Sequence, residues 1–232
     1  MNKPQIKVII PAYNEADSIA KVIAEIPEIV SEIIVVDNNS TDDTSNIASN
    51  SGATVLKEAA KGYGYACLRG LRYVDAFVDE PDIIVFLDGD YSDYPAKLTE
   101  IVDPIINNDI DLVIGSRTKR LREKGAMTFP QVFGNWLATS LMKLFFNANF
   151  TDLGPFRAIK YSKLKLLKME DKTYGWTVEM QLKALKQSLS YVEVEVPYKK
   201  RIGVSKISGT LTGAVMAGVK ILGWIFKYSF SK

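Results

Sequence analysis

Five short apolar runs constrain the first half of this chain more than any other feature. Residues 6–11 (IKVIIP), 33–37 (IIVVD), 53–56 (ATVL), 83–88 (IIVFLD) and 111–116 (DLVIGS) are rich in β-branched residues. Helix-length segments separate most of them. Ile19, Val22, Ile23 and Ile26 recur at the spacing of one helix face, with Asp17 or Ser18 placed to cap it. Residues 62–78 and 97–107 read as two further helices. Strands that are apolar throughout, rather than alternating, are buried on both faces. Interleaved with helices, they specify an α/β fold with a mainly parallel, Rossmann-like sheet and helices on both faces.

After Arg117 the pattern changes. Residues 117–130 are polar and basic and read as a mobile surface loop. A long, nearly uncharged helix is expected over 131–149, strands over 153–159 and 190–196, and a helix near 176–188. An apolar C-terminal helix is expected over 207–230.

Composition narrows the chemistry. The chain has no histidine and one cysteine, Cys67. An internal disulfide, a thiolate or imidazole zinc site, and Ser-His-Asp or Cys-His catalysis are therefore excluded. A metal would have to be held by oxygen, which points to Mg2+ or Mn2+.

Two of the runs end in acid, Asp37 and Asp88. Ligands of open α/β sheets bind outside the carboxyl ends of the strands. Asp88-Gly89-Asp90 sets two carboxylates close enough to repel each other unless a cation lies between them. Gly89 leaves room for a ligand to approach. A divalent ion there would bridge a diphosphate and offset charge on a leaving group. By itself the tripeptide is equally an ordinary Asp-Gly turn, and Ser40 through Asp43 are equally helix-cap residues.

The order of the motifs adds specificity. VIIPAYNE, VVDNNSTDDT, KGYGYACLRGL, FLDGDYSDYP and IGSR, in that sequence over residues 6–117, resemble the family-2 glycosyltransferases of the GT-A fold. The resemblance implies that Pro11, Tyr13, Glu15 and Asp37 line the base and ribose site of a nucleotide-sugar donor. It places Lys61 near the pyrophosphate, and Asp88, Gly89 and Asp90 at the donor and its metal. Relatives often carry a Gln ligand two residues after the second metal Asp. Here that position is Ser92, and Asp93 or water can take its place. Further on, TDLGPFR (151–157), GWTVEM (175–180) and RIGVSK (201–206) are similar to polyprenyl-phosphate (dolichol-phosphate) sugar transferases.

This resemblance implies a single displacement at the anomeric carbon, with inversion, carrying a hexose from a UDP- or GDP-sugar to a polyprenyl or dolichyl phosphate. Such an acceptor is already anionic and needs little activation; its problem is repulsion by the donor diphosphate. Arg117, Arg157, Arg201 and Lys206 are the candidate cations for that phosphate. Asp90, Asp152 and Arg117 are the candidate catalytic residues. Asp152 is ranked above Glu179, because Glu179 also fits an ordinary amphipathic helix. For a soluble or glycan hydroxyl acceptor, the alternative, Asp152 or Glu179 would be the general base. A nucleotidyltransferase is less favoured, because PAYNEAD is acidic and lacks the Gly-rich basic phosphate loop.

Charge and hydropathy bear on partners. Residues 1–116 carry 8 basic and 20 acidic side chains, a net −12, and residues 117–232 carry 21 and 7, a net +14. An acidic donor-and-metal half (1–117) joined to a basic acceptor half (118–206) is the expected organisation. At the last segment, 207–232, Lys206 just before it and Lys220 and Lys227 within it would share one face of a helix, and Val215, Val219, Leu222, Ile225 and Phe226 supply much of the rest. The 13 uncharged residues between Lys206 and Lys220 span about 20 Å, short of the roughly 30 Å hydrocarbon core. The segment suits a membrane interface, with the 131–149 helix alongside, or else a core or dimer helix; peripheral attachment is expected rather than a span. The first residues show no secretory signal, so the cytoplasmic face of a membrane is the expected location. No nucleic-acid partner is expected; a homo-oligomer is left open.

Overall fold

A computed structural model of the chain describes residues 3–203 and 211–230. Its strands are β1 (Ile6–Ala12), β2 (Glu32–Asp37), β3 (Thr54–Lys57), β4 (Ile83–Phe86), β5 (Leu112–Ser116), β6 (Arg157–Lys160) and β7 (Tyr191–Glu195). Its helices are α1 (Ile19–Ala24), α2 (Thr44–Asn50), α3 (Tyr63–Val74), α4 (Leu98–Asn108), α5 (Phe129–Phe146), α6 (Tyr161–Leu167), α7 (Trp176–Lys186) and α8 (Leu211–Phe230).

The seven strands form one sheet in the order β3-β2-β1-β4-β6-β5-β7. The β1–β2, β2–β3 and β1–β4 pairs are parallel, as expected for continuous apolar runs, and so is the β5–β7 pair, although β7 alternates with Glu193 and Glu195. β6 enters from the second half of the chain and separates β4 from β5, antiparallel to both. Alternate residues face opposite sides. Ile9, Ile34, Ile84 and Ile159 meet α3, α5, α6, α7 and α8, whereas Val8, Val35, Val85 and Val113 meet α1, α2 and α4. Each buried aliphatic side chain contributes about 1.5–3 kcal/mol.

Local chemistry sets several boundaries. α5 starts two residues before the expected 131 because Thr128 and Gln131 form a capping box, and it ends where Asn147 adopts φ +53°. The helix expected over 62–78 stops at Val74, and Val78 is almost fully exposed. The strand expected over 153–159 begins only at Arg157, after a turn containing Pro155, which has no N–H for a ladder. Neither expected cap of α1 operates. The Ser18 hydroxyl instead donates to the Gly89 carbonyl at 2.8 Å, tying the start of α1 to the Asp88–Asp90 turn. Segment 117–130, read as a mobile surface loop, is pinned to the chain after β7. The Glu123 N–H donates to the Tyr198 carbonyl, and the Lys200 N–H donates to the Glu123 carboxylate.

α8 is packed onto the body: Trp224 and Ile225 are buried in the core cluster of the α3 side. Phe145 of α5 meets Phe226 and Phe230 of α8 at ring distances of 5.9 and 6.4 Å, so these helices lie side by side as expected. Among the described residues, no helix is long and apolar enough to cross a membrane. Lys206 and residues 207–210 of the expected last helix lie outside the described residues.

Candidate active site

The carboxyl ends of β1, β2 and β4 open on a cavity of about 300 Å³. Pro11, Tyr13, Glu15, Lys61, Asp88, Gly89, Asp90 and Arg201 line it, so all but one of the residues expected at the donor converge there. The exception is Asp37. It is buried at the end of β2, with one oxygen accepting the Ser40 N–H at 2.9 Å and the other the Ser45 hydroxyl at 2.5 Å. Asp37 folds the DNNSTDDT turn, and its neighbour Asn38 takes the place at the cavity wall. The Asn38 amide also donates to the Glu58 and Ala60 carbonyls and accepts the Gly62 N–H, fixing the approach to α3.

A second cavity, of about 290 Å³, also borders the Asp88–Asp90 turn. Arg117, Tyr198, Pro130, Gln131 and Asn135 wall it, together with Ala217, Gly218 and Ile221 of α8. Tyr63, Asp88, Asp90, Tyr174 and Arg201 line both cavities, so the acid pair stands where the two meet.

Electrostatics at the junction is strained. Burial and the neighbouring Asp90 push the Asp88 carboxyl up to about 7. Tyr63 donates to Asp88 at 3.0 Å. Asp90 accepts the Ser92 N–H at 2.9 Å and the Ser92 hydroxyl at 2.5 Å. Ser92 thus orients Asp90 through the position where relatives often carry a Gln ligand. Arg201 bridges the junction, pairing with Asp90 at 3.1 Å and with Glu15 at 2.8 Å. Asp93 is fully buried, and neither of its oxygens has a hydrogen-bond partner among the described residues. Burial first, then Asp88, pushes its carboxyl well above the ordinary range.

Acids that resist ionisation because of burial and mutual repulsion are a chemical fit for an oxygen-bound divalent cation. Among the described residues no three acids gather as a metal-holding group, so Asp93 does not complete one with Asp88 and Asp90. Mg2+ and Mn2+ tolerate two protein carboxylates when substrate phosphate and water fill the remaining positions.

The remaining candidates divide. Arg117 and Asp152 form a buried bidentate pair, with Nε–Oδ2 at 2.8 Å and Nη2–Oδ1 at 2.7 Å, and the Arg117 N–H adds a third bond at 2.8 Å. Burial would raise the Asp152 carboxyl, but Arg117 outweighs it and holds the group below its ordinary value. Arg157 does not reach either cavity. It is fully buried, and its guanidinium donates to the carbonyls of Leu153, Gly154 and Thr177. Burial lowers its pKa to about 10. Arg157 therefore braces the turn before β6, and the expectation that it meets the acceptor phosphate is corrected. Glu179 is buried on the backbone N–H groups of Glu170 and Asp171, each at 2.8 Å, and faces no cavity. Tyr63, Asn38, Thr173 and Tyr174 line the first cavity without having been anticipated. For Tyr63 a signal existed: it sits in the KGYG segment at the start of α3.

Comparison with known proteins agrees with this architecture. The model of the glycosyl transferase family 2 matches residues 7–167. An undecaprenyl-phosphate mannosyltransferase of Micrococcus luteus is 28% identical over 230 residues, 93% of this chain and 92% of that one. A dolichyl-phosphate hexose transferase of Haloferax volcanii is 30% identical over 218 residues, 91% of this chain and 90% of that one. Among solved structures, glucosyl-3-phosphoglycerate synthase from Mycobacterium tuberculosis, crystallised with Mn2+, UDP and phosphoglyceric acid, superposes with a TM-score of 0.78. It is 22% identical, and the match covers 99% of this chain and 80% of that one, a likeness of fold. The chain belongs to glycosyl transferase family 2 and is a glycosyltransferase.

Proposed function

We propose that this glycosyltransferase moves a hexose from a UDP- or GDP-sugar to a polyprenyl or dolichyl phosphate, with inversion at the anomeric carbon and with Mg2+ or Mn2+ held by Asp88 and Asp90. One observation carries the reading: two cavities meet at the acid pair, and the second is bordered by the apolar helix α8 and by the start of α5. The first cavity takes the nucleotide sugar. Tyr13 and Glu15 lie on its nucleotide side, and Lys61 lies 5.9 Å over the Tyr13 ring, within reach of a pyrophosphate. When bound, the metal supplies charge neutralisation on the departing diphosphate.

The chain's own residues then account for the acceptor. Arg117 and Arg201 line the second cavity and offset repulsion between acceptor phosphate and donor diphosphate. Asp152 works through Arg117, aiming its guanidinium. Both Asp152 oxygens are engaged and Glu179 is buried elsewhere, so neither offers a free oxygen as general base. A hydroxyl acceptor needs that base, and a phosphate does not. The names of the M. luteus and H. volcanii relatives favour the same acceptor class.

The exposed faces of α5 and α8 suit the rest. Phe129, Trp136, Val219 and Phe230 are more than half exposed, and we place this surface against the cytoplasmic face of a membrane. Lys220 and Lys227 turn toward the body, pairing with Asp171 and Glu170, so apolar contact carries the attachment. The test is incubation with radiolabelled UDP- and GDP-sugars and a short polyprenyl phosphate, followed by organic extraction. Label in the organic phase is expected; label that stays aqueous on a soluble acceptor would overturn the lipid reading.

A further inference from the structure

We propose that Asp171 is a positioning residue that couples the seating of α8 to the shape of the donor cavity. The proposal rests on reading the first cavity as the donor site.

Asp171 is 2% exposed and divides its two oxygens between two tasks. Oδ1 accepts the N–H groups of Thr173 at 2.8 Å and Gly175 at 3.0 Å, which folds the turn 171–175. Oδ2 accepts the indole N–H of Trp224 at 2.7 Å and pairs with Lys220 at 3.2 Å, which grips α8. Hydrogen bonds to a buried carboxylate are charge-assisted and short, so this grip is among the stronger polar contacts available to the helix.

The same turn is bonded to the start of α3. The Gly64 N–H donates to the Thr173 carbonyl at 3.2 Å, and the Tyr65 N–H donates to the Lys172 carbonyl at 3.0 Å. A Cβ on Gly64 would overlap the Asp171 carbonyl oxygen, so the two backbones lie flush. Through this seat the turn presents Thr173 and Tyr174 to the donor cavity. Next to it stands Tyr63, which holds Asp88. Gly175 lies so close to Trp224 that a Cβ there would overlap the indole ring.

The stretch before the turn has its own anchor. Glu179 accepts the N–H groups of Glu170 and Asp171, and Lys183 donates to the Lys168 carbonyl at 2.6 Å. Loosening the Asp171–Trp224 contact therefore frees the turn 172–175 and not the loop as a whole. Because α8 also walls the second cavity, filling either cavity biases the other through this contact, and such coupling is reciprocal.

Trp224→Phe removes the indole N–H together with the smaller part of the ring system and leaves an aromatic ring beside Tyr228. Asp171→Asn is the second variant. UDP and GDP, each with Mn2+, are titrated calorimetrically into the full-length wild type and both variants, and each protein is melted in parallel. The nucleotide that the wild type prefers should bind roughly tenfold more weakly to the variants, the worth of one hydrogen bond to a charged group. In turnover assays the loss should fall on the donor KM while kcat stays within about twofold. A merely structural anchor would lower the melting temperature and leave the affinity of the folded protein unchanged; that result overturns the proposal. If Asp171→Asn does not fold, Trp224→Phe decides. A wild type that binds neither nucleotide removes the donor reading and the proposal with it, and that failure shows before any substitution is made.

Discussion

Asp152→Asn isolates the interaction that aims Arg117 into the second cavity. The two side chains are 11% and 5% exposed, and three hydrogen bonds of 2.7–2.8 Å join the residues. Removing one partner of a buried ion pair costs about 3–5 kcal/mol, because the other charge is left uncompensated. Asparagine keeps one oxygen for the Arg117 backbone N–H and Nε, so the lower end of that range, about 3 kcal/mol, is the reasoned value. In a chain of this size that lowers the melting temperature by roughly 6–12 °C. The acid dependence has a definite sign. Asp152 is held below its ordinary value by Arg117, so its stabilisation is complete above the unfolded pKa, near 4, and is lost as pH falls through the folded pKa. Wild type and variant should therefore differ fully at pH 7 and converge in acid. Thermal melts followed by circular dichroism, in a double-mutant cycle with Arg117→Met, measure both effects. A variant that melts with the wild type at neutral pH, or a gap that persists undiminished in acid, would refute the assignment.

Further predictions concern the junction and its supports. Asp90→Asn should reduce sugar transfer by at least about a hundredfold, and a chelator should abolish it, while the melting temperature moves only a few degrees. Retained turnover in either case would remove the metal role. Gly64→Ala should force the 171–175 turn away from α3 at about 1–3 kcal/mol and weaken nucleotide binding, read by calorimetry and melting together. Arg157→Met should leave three backbone carbonyls without their donor and destabilise the fold by about 3 kcal/mol or more. The acceptor KM of the protein that still folds should be unchanged, whereas a phosphate ligand would shift it.

How much of this was legible follows from where each contact comes from. β1, β2 and β4 were readable because unbroken apolar runs such as residues 33–36 and 83–87 suit strands buried on both faces, and β4 then delivers Asp88 and Asp90 to the carboxyl edge. The donor wall came with them, since Pro11 lies near the end of β1, and Tyr13, Glu15 and Gly89 follow β1 and β4 within a few residues. α6 was also readable, from Tyr161, Leu164 and Leu167 at helical spacing, and was missed. The position of β6 was not: an antiparallel strand between β4 and β5 is chosen by pairing with distant partners, not by its own four residues.

The same distinction explains which charges were misplaced. Arg117 and Arg157 each adjoin a sheet strand in a family-like motif, and nothing local separates them. Asp152 meets Arg117 across 35 residues, while Arg157 closes on carbonyls, one of them 20 residues away. Arg201 reaches Glu15 across 186 residues, so its place at the mouth of both cavities exists only once the two halves of the chain have come together. A carboxylate at a strand end inherits its position from the backbone; a long cation takes its position from whichever acceptor the fold brings within reach. This asymmetry is physical: the arginine side chain carries several rotatable bonds and five donors, and its lowest-energy partner is set by burial and charge, not by spacing. The acids therefore mark the site in the sequence, and the cations that serve it are assigned by the fold.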